Sequence, residues 1–171
     1  GEAFKVIADP NLIEVGDKLC IPADETTVDV QTLKNLVYLS EFTQGGTAPL
    51  VNGVYSESAA PGSATKTVIV LHDRMAFGYT AGGQPFAAAI LVSDPGGSGT
   101  FYDLHVMVSQ NGQPVSVAST MLGDRVQINS IAVENNQIVV DMVQAEPDDP
   151  FCCPTQQVIK TFAVQGDQLV E

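Results

Sequence analysis

From residue 33 to the end, short apolar and β-branched segments alternate with polar turns, and almost nothing repeats with a helical period. "TKTVIVLHD" (65–73) and the unbroken apolar run "PFAAAILVS" (85–93) lie on either side of a stretch ending in "AGGQ", and "DPGGSG" closes the second. "TFYDLHVMVSQ" (100–110) runs into Asn111-Gly112, the strongest hairpin signal in the chain, and "PVSVASTML" (114–122) returns from it. "VQINSIAVE" (126–134), "IVVDMVQ" (138–144), "QQVIKTFAVQ" (156–165) and "QLVE" (168–171) follow, divided by "NNQ", a cysteine-bearing loop and Gly166-Asp167. Period-two segments punctuated in this way predict seven to nine strands. Consecutive short turns favour pairing between neighbours in sequence, so the expected fold is mostly β, an antiparallel meander forming a sandwich or a partly closed barrel.

Details sharpen that expectation. A continuous apolar run such as 85–93 suits a central strand. In 126–134, Val126, Ile128, Ser130 and Ala132 are expected on one face, with Gln127, Asn129, Ile131 and Val133 on the other. "LKNLVY" (33–38) and "LVNGVY" (50–55) share an L-x-N-x-V-Y form and read as two related strands joined through "TQGGTAP".

With 171 residues, 44% hydrophobic and 16% charged, the chain has the composition of one globular domain carrying a small appendage. The net charge is −13, with only seven Lys and Arg, so phosphate backbones and anionic membrane surfaces are poor partners and no nucleic-acid binding is expected. No apolar run is long enough to span a bilayer as a helix.

Residues 1–23 differ from the rest. "AFKVIADPNLIEVGDKLCIPA" reads as the end of a short helix, a turn at Asp9-Pro10-Asn11, a second turn at Gly16-Asp17, and a strand through Cys20 and Ile21 that Pro22 stops. The polar, acidic stretch 24–32 suits a linker, which leaves 33–171 as the β domain.

The segment "ADPNLIEVGDKLCIP" resembles the C-terminal half of a LysM module, the small unit that binds N-acetylglucosamine-containing glycans. The resemblance is carried by Asp9, Pro10, Asn11, Ile13, Gly16, Leu19, Ile21 and Pro22, within residues 4–22. It implies a truncated, partly helical LysM-like remnant in which Ala8, Asp9, Pro10, Asn11, Leu12 and Ile13 form one wall of a glycan groove. It also implies that the module's first strand and first helix lie upstream, behind a leader, with Cys20 paired to a cysteine of that missing half. Three stretches of the β domain, "SDPGGSGTFYDL", "LGDRVQINSI" and "DPFCCPTQ", are similar to bacterial exported or lipoprotein-like proteins of unknown function. Such relatives carry an acidic loop where this chain has "FGYTAGGQPF" (77–86), with no carboxylate, so a calcium loop does not carry over.

The remaining motifs offer little chemistry. "DPGGSG" lacks the lysine and following helix of a phosphate-binding loop. His72 and His105 fall on strands without a second His or Cys at metal-ligand spacing. His72-Asp73-Arg74 would need a distant nucleophile such as Ser93 or Ser98. Glu146, Asp148 and Asp149 leave a weak calcium site open, but the reading assigns no metal, no cofactor and no catalytic residue. In "EPDDPFCCPTQ", adjacent cysteines suit neither tetrahedral zinc nor a C-x-x-C redox centre. Three arrangements stay open: a vicinal Cys152–Cys153 disulfide, a bridge from either to Cys20, or reduced thiols.

The expected function is that of a non-enzymatic, secreted or cell-envelope bacterial protein that binds peptidoglycan-type glycan through its complete LysM module. The alternatives are a cell-wall-associated hydrolase and a protein-binding β module.

Overall fold

The computed structural model describes residues 28–110, 113–150 and 152–171. The LysM-like segment, including Ala8, Asp9, Pro10, Asn11, Leu12, Ile13 and Cys20, lies outside the described residues, as does the Asn111-Gly112 dipeptide. The described chain opens with a one-turn helix α1 (Val30–Leu33) and eleven strands follow: β1 (Val37–Leu39), β2 (Thr47–Pro49), β3 (Val54–Ser58), β4 (Lys66–Tyr79), β5 (Pro85–Asp94), β6 (Phe101–Gln110), β7 (Gln113–Asp124), β8 (Gln127–Glu134), β9 (Gln137–Gln144), β10 (Gln156–Gln165) and β11 (Gln168–Val170). All pairings are antiparallel, and β3 through β7 form one meander and β8 through β11 another, each with its strands side by side in sequence order. The sheets are antiparallel and include one curled half-barrel, with β8 lying against β4 and β11 against β7.

Three layers result. Between the two sheets, Ile90, Leu104, Val106, Ile138, Val140, Met142 and Phe162 form the larger core. On the opposite face of the five-stranded sheet, α1 and the β1–β2 hairpin make a cap, in which Leu33, Tyr38, Ala48 and Leu50 pack on Ile69, Ala87, Ala89, Leu91 and Met107. Strand β5 contributes alternate residues to both cores, which is why its sequence is apolar without interruption. Its three consecutive alanines are all fully buried, and Ala87 and Ala89, on the cap side, leave room for the bulky Leu33 and Tyr38.

Two bulges change what the sequence alone implies. In β8 the register with β9 slips between Ile128 and Ser130. Val126 and Ile128 face the core before the slip, and Ile131 and Val133 pack on it afterwards, so the inward set changes from even to odd positions. Strict alternation through 126–134 is therefore corrected at Asn129, whose side chain donates to Asp141 Oδ1 at 2.9 Å. In β4 the register slips between Leu71 and Met75, and the strand carries His72-Asp73-Arg74 through the bulge and continues to Tyr79.

The N-terminal reading also changes. Residues 28–32, polar enough to suggest a linker, begin the folded unit: Val28 is buried in the cap, and Asp29 caps α1 by accepting the Thr32 N–H at 2.7 Å. The related segments 33–38 and 50–55 do not form a strand pair, because β1 pairs with β2 and β3 with β4.

Close approach fixes Gly78 in β4. A Cβ there would lie 2.5 Å from Val133 Cγ1 of β8, so a glycine is needed where the two sheets meet. The neighbouring turn supports the same contact. Asn135 and Asn136 both adopt positive φ, 50° and 63°, as a tight hairpin turn between β8 and β9 requires. Asn136 Nδ2 then donates to the Tyr79 carbonyl at 2.9 Å, tying that turn to the end of β4.

Candidate functional site: an acidic cleft beneath the cap

A cleft of about 410 Å³ opens where the cap meets strands β6 and β7. Leu39, Ser40 and Glu41 line it from the end of β1 and the following turn, Asp103 and His105 from β6, and Ser119 and Met121 from β7. Asp103 and His105 are two residues apart on one strand and therefore share a face. The register sets Ser119 opposite His105 and Met121 opposite Asp103. Among the described residues, no lysine or arginine lines the cleft.

His105 forms its floor. The residue is only 2% exposed, and its Nδ1 lies 3.4 Å from the hydroxyl of Ser116, itself buried. Tyr38 presents its ring nearly perpendicular to the imidazole, at 85° with centroids 5.4 Å apart, and donates its own hydroxyl to the Leu33 carbonyl at 2.9 Å. Burial pulls the imidazole down to about 4, so it is neutral at physiological pH. Burial also pushes the Tyr38 phenol up. Asp103, partly buried beside it, is raised to about 6, first by loss of solvent and then by the charge of Glu41. Nε2 of His105 has no hydrogen-bond partner among the described residues, and the residue lines the cleft.

The sequence singled out His105 as an ordinary strand histidine, and no spacing pattern connects it to Glu41 or Asp103. Only the fold of the cap over β6 brings the three to one cleft. His72 lies elsewhere, in the β4 bulge. Its Nδ1 is 2.9 Å from Asp73 Oδ1 and 3.1 Å from the Arg74 amide nitrogen, and its ring lies 6.3 Å from that of Tyr102. Ser93 does not join it: Tyr102 packs toward the core between the sheets, whereas Ser93 pairs with Phe101, which stacks on Phe42 of the cap side. The Ser93 hydroxyl is buried without a partner.

The cysteine loop is built around Asp149. Its Oδ2 accepts the amides of Glu146 and Thr155, each at 2.8 Å, and its Oδ1 accepts the Thr155 hydroxyl at 2.9 Å. The Glu146 amide, followed by Thr155, holds the carboxyl of Asp149 below its usual range. Both oxygens are thus engaged by the loop itself, and no group of three metal-capable side chains occurs among the described residues. The sulfurs of Cys152 and Cys153 lie at disulfide distance, the vicinal arrangement of the three. A pair bonded in this way leaves neither sulfur for Cys20. The loop borders a second cleft, of about 570 Å³, which Asp124, Arg125 and Gln144 also line.

Fold and site together define an antiparallel β protein with an acidic, imidazole-floored cleft. Comparison of the chain with protein-family models, with curated proteins and with solved structures returns no match.

Proposed function

We propose that this chain belongs to a non-enzymatic, secreted or envelope-attached bacterial protein, anchored to peptidoglycan-type glycan by the complete LysM-like module whose second half is read at residues 4–22. The observation that carries the non-enzymatic part is the state of His105. It is neutral, nearly closed to solvent, braced by Tyr38, and paired with a serine that is itself buried. An imidazole that activates a serine needs that hydroxyl within reach of a substrate; here the Ser116 hydroxyl is packed inside. The vicinal cysteine pair supports an oxidising compartment outside the cytoplasm. Among the described residues no helix is long and apolar enough to cross a membrane.

Sedimentation with insoluble peptidoglycan tests the anchoring. A protein carrying the whole module co-sediments and is released by soluble N-acetylglucosamine oligomers; protein that stays in the supernatant at every salt concentration overturns the reading.

A second reading, a wall hydrolase, is favoured by one observation. Burial raises the Asp103 carboxyl to about 6 in a cleft that Glu41 also lines, as a carboxyl serving as a general acid requires. Release of reducing ends from peptidoglycan, abolished by Asp103→Asn, would select it over the binding reading.

A further inference from the structure

We propose that the Cys152–Cys153 pair is a thiol–disulfide exchange site that accepts two electrons from an external dithiol. A bond at this place cannot serve stability in the usual way. Structural disulfides act chiefly by closing a long loop of the unfolded chain. Here the bonded residues are neighbours, at a sequence separation of 1, and a peptide bond already joins them. The sulfurs therefore staple no two parts of the fold together. The β9–β10 loop that carries them is closed by other means. Asp149 Oδ2 accepts the Glu146 and Thr155 amides, each at 2.8 Å, and the Cys153 N–H donates to the Pro150 carbonyl at 2.9 Å. Both cysteines are exposed, so a thiolate reaches the pair from solvent. Exposed disulfides are the labile, regulatory or catalytic ones, whereas structural bridges resist reduction.

The exchange runs in two steps. A thiolate of the incoming dithiol attacks one cysteine sulfur; a mixed disulfide forms, the Cys152–Cys153 bond breaks, and the other cysteine leaves as a thiolate. The reductant's second thiolate then attacks its own sulfur in the mixed disulfide, closing its own disulfide and releasing the remaining cysteine. Two electrons and two protons end on Cys152 and Cys153, and the dithiol is oxidised by the same amount. Adjacency selects the partner. After the first attack the freed cysteine lies beside the mixed disulfide, where it re-forms the ring and expels a monothiol. A dithiol resolves the intermediate within its own molecule and so completes the reduction. Charge adds to the choice: Glu146, Asp148 and Asp149 precede the pair, and no lysine or arginine occurs from 146 to 155. Anionic monothiols such as glutathione are repelled there, and a neutral or basic dithiol is the fitting reductant. The site is independent of the glycan-anchoring reading, so peptidoglycan sedimentation and the experiment below can fail separately.

The experiment is native-state reduction of the intact chain, produced by secretion. Free thiols are alkylated first, which blocks Cys20. Dithiothreitol is then added without denaturant, the reaction is quenched with a second alkylating agent, and the labels are mapped by mass. The second label is expected on Cys152 and Cys153 alone, and absent from the Cys152→Ala, Cys153→Ala double variant. Its rate in the folded chain is expected within about tenfold of that in urea, since access limits exchange. Glutathione at the same thiol concentration leaves most of the pair oxidised. The urea midpoint of the reduced protein matches that of the oxidised one, and the double variant shares it. Labelling of Cys152 and Cys153 in the first alkylation would overturn the proposal, as would a pair inert to dithiothreitol until the chain is unfolded. A midpoint lowered by reduction would make the bond a structural staple, and equal reduction by glutathione would overturn the choice of a dithiol.

Discussion

Tyr38 and His105, from the cap and the sheet beneath it, meet edge to face with their ring centroids 5.4 Å apart. This contact couples the seating of the cap to a titratable ring that lines the acidic cleft. The first prediction follows from the two groups on β6. His105 has a folded value near 4 against 6.5 in the unfolded chain, so between those limits the unfolded state binds the extra proton and stability rises with pH. Asp103 has a folded value near 6 against 3.8, so between those limits the folded state binds the extra proton and stability falls with pH. The two slopes oppose each other from about pH 4 to 6. The histidine contribution is worth roughly 3 kcal/mol at most, and that of Asp103 is smaller because its carboxyl stays partly open to water. Urea denaturation of the wild-type chain will therefore show only a shallow rise from pH 4 to 6.5. Asp103→Asn will steepen the rise, and His105→Leu will reverse it into a fall.

Gly78→Ala will destabilise the fold by about 1–3 kcal/mol, the usual cost of forcing a methyl group into packed space. Its Cβ would clash with Val133. Val133→Ala, which makes room, will restore part of the loss in the double variant, and strictly additive losses in denaturant titrations would place the strain elsewhere.

Tyr38→Phe keeps the ring on His105 but leaves the Leu33 carbonyl without its donor at 2.9 Å. A loss of about 1–3 kcal/mol is expected from the unpaired buried group. The readout is faster amide hydrogen exchange in α1 and β1 than in β9, since the cap loses its tie while the second sheet does not.

Without reductant, alkylation of the unfolded chain will label only Cys20 of the three cysteines, and all three after reduction. Asp149→Ala removes the acceptor for the Glu146 and Thr155 amides. It will speed proteolytic cleavage within 146–155 at neutral pH, where wild-type Asp149 is ionised. In the wild type the same cleavage will rise only at strongly acidic pH, where that carboxyl takes up a proton.

Much of the strand order was legible because the β hairpins are local. Gln110 pairs with Gln113 across the Asn-Gly dipeptide, and the apolar run of β5 reflects burial on both faces. What escaped was set by tertiary context. The β4 strand seemed to end at Asp73 because a bulge tolerates three polar residues in mid-strand. The face switch at Asn129 is invisible to any fixed period. Residues 28–32 looked like linker because a one-turn helix has no periodicity to detect, and only the cap at Asp29 marks it. The cleft was not legible at all. Glu41, Asp103 and Ser119 are ordinary polar residues on separate segments, and their meeting depends on where the cap settles.

The double-sided burial of β5 bears on where the chain can be divided. A fragment beginning at β3 would keep every strand of both sheets, yet it would strip cover from Ala87, Ala89, Leu91 and Met107. Those side chains would then form an adhesive surface on an otherwise acidic particle. The cap and the half-barrel are thus two rooms sharing one wall, and a soluble truncation must begin ahead of Val28 and keep the wall plastered on both sides.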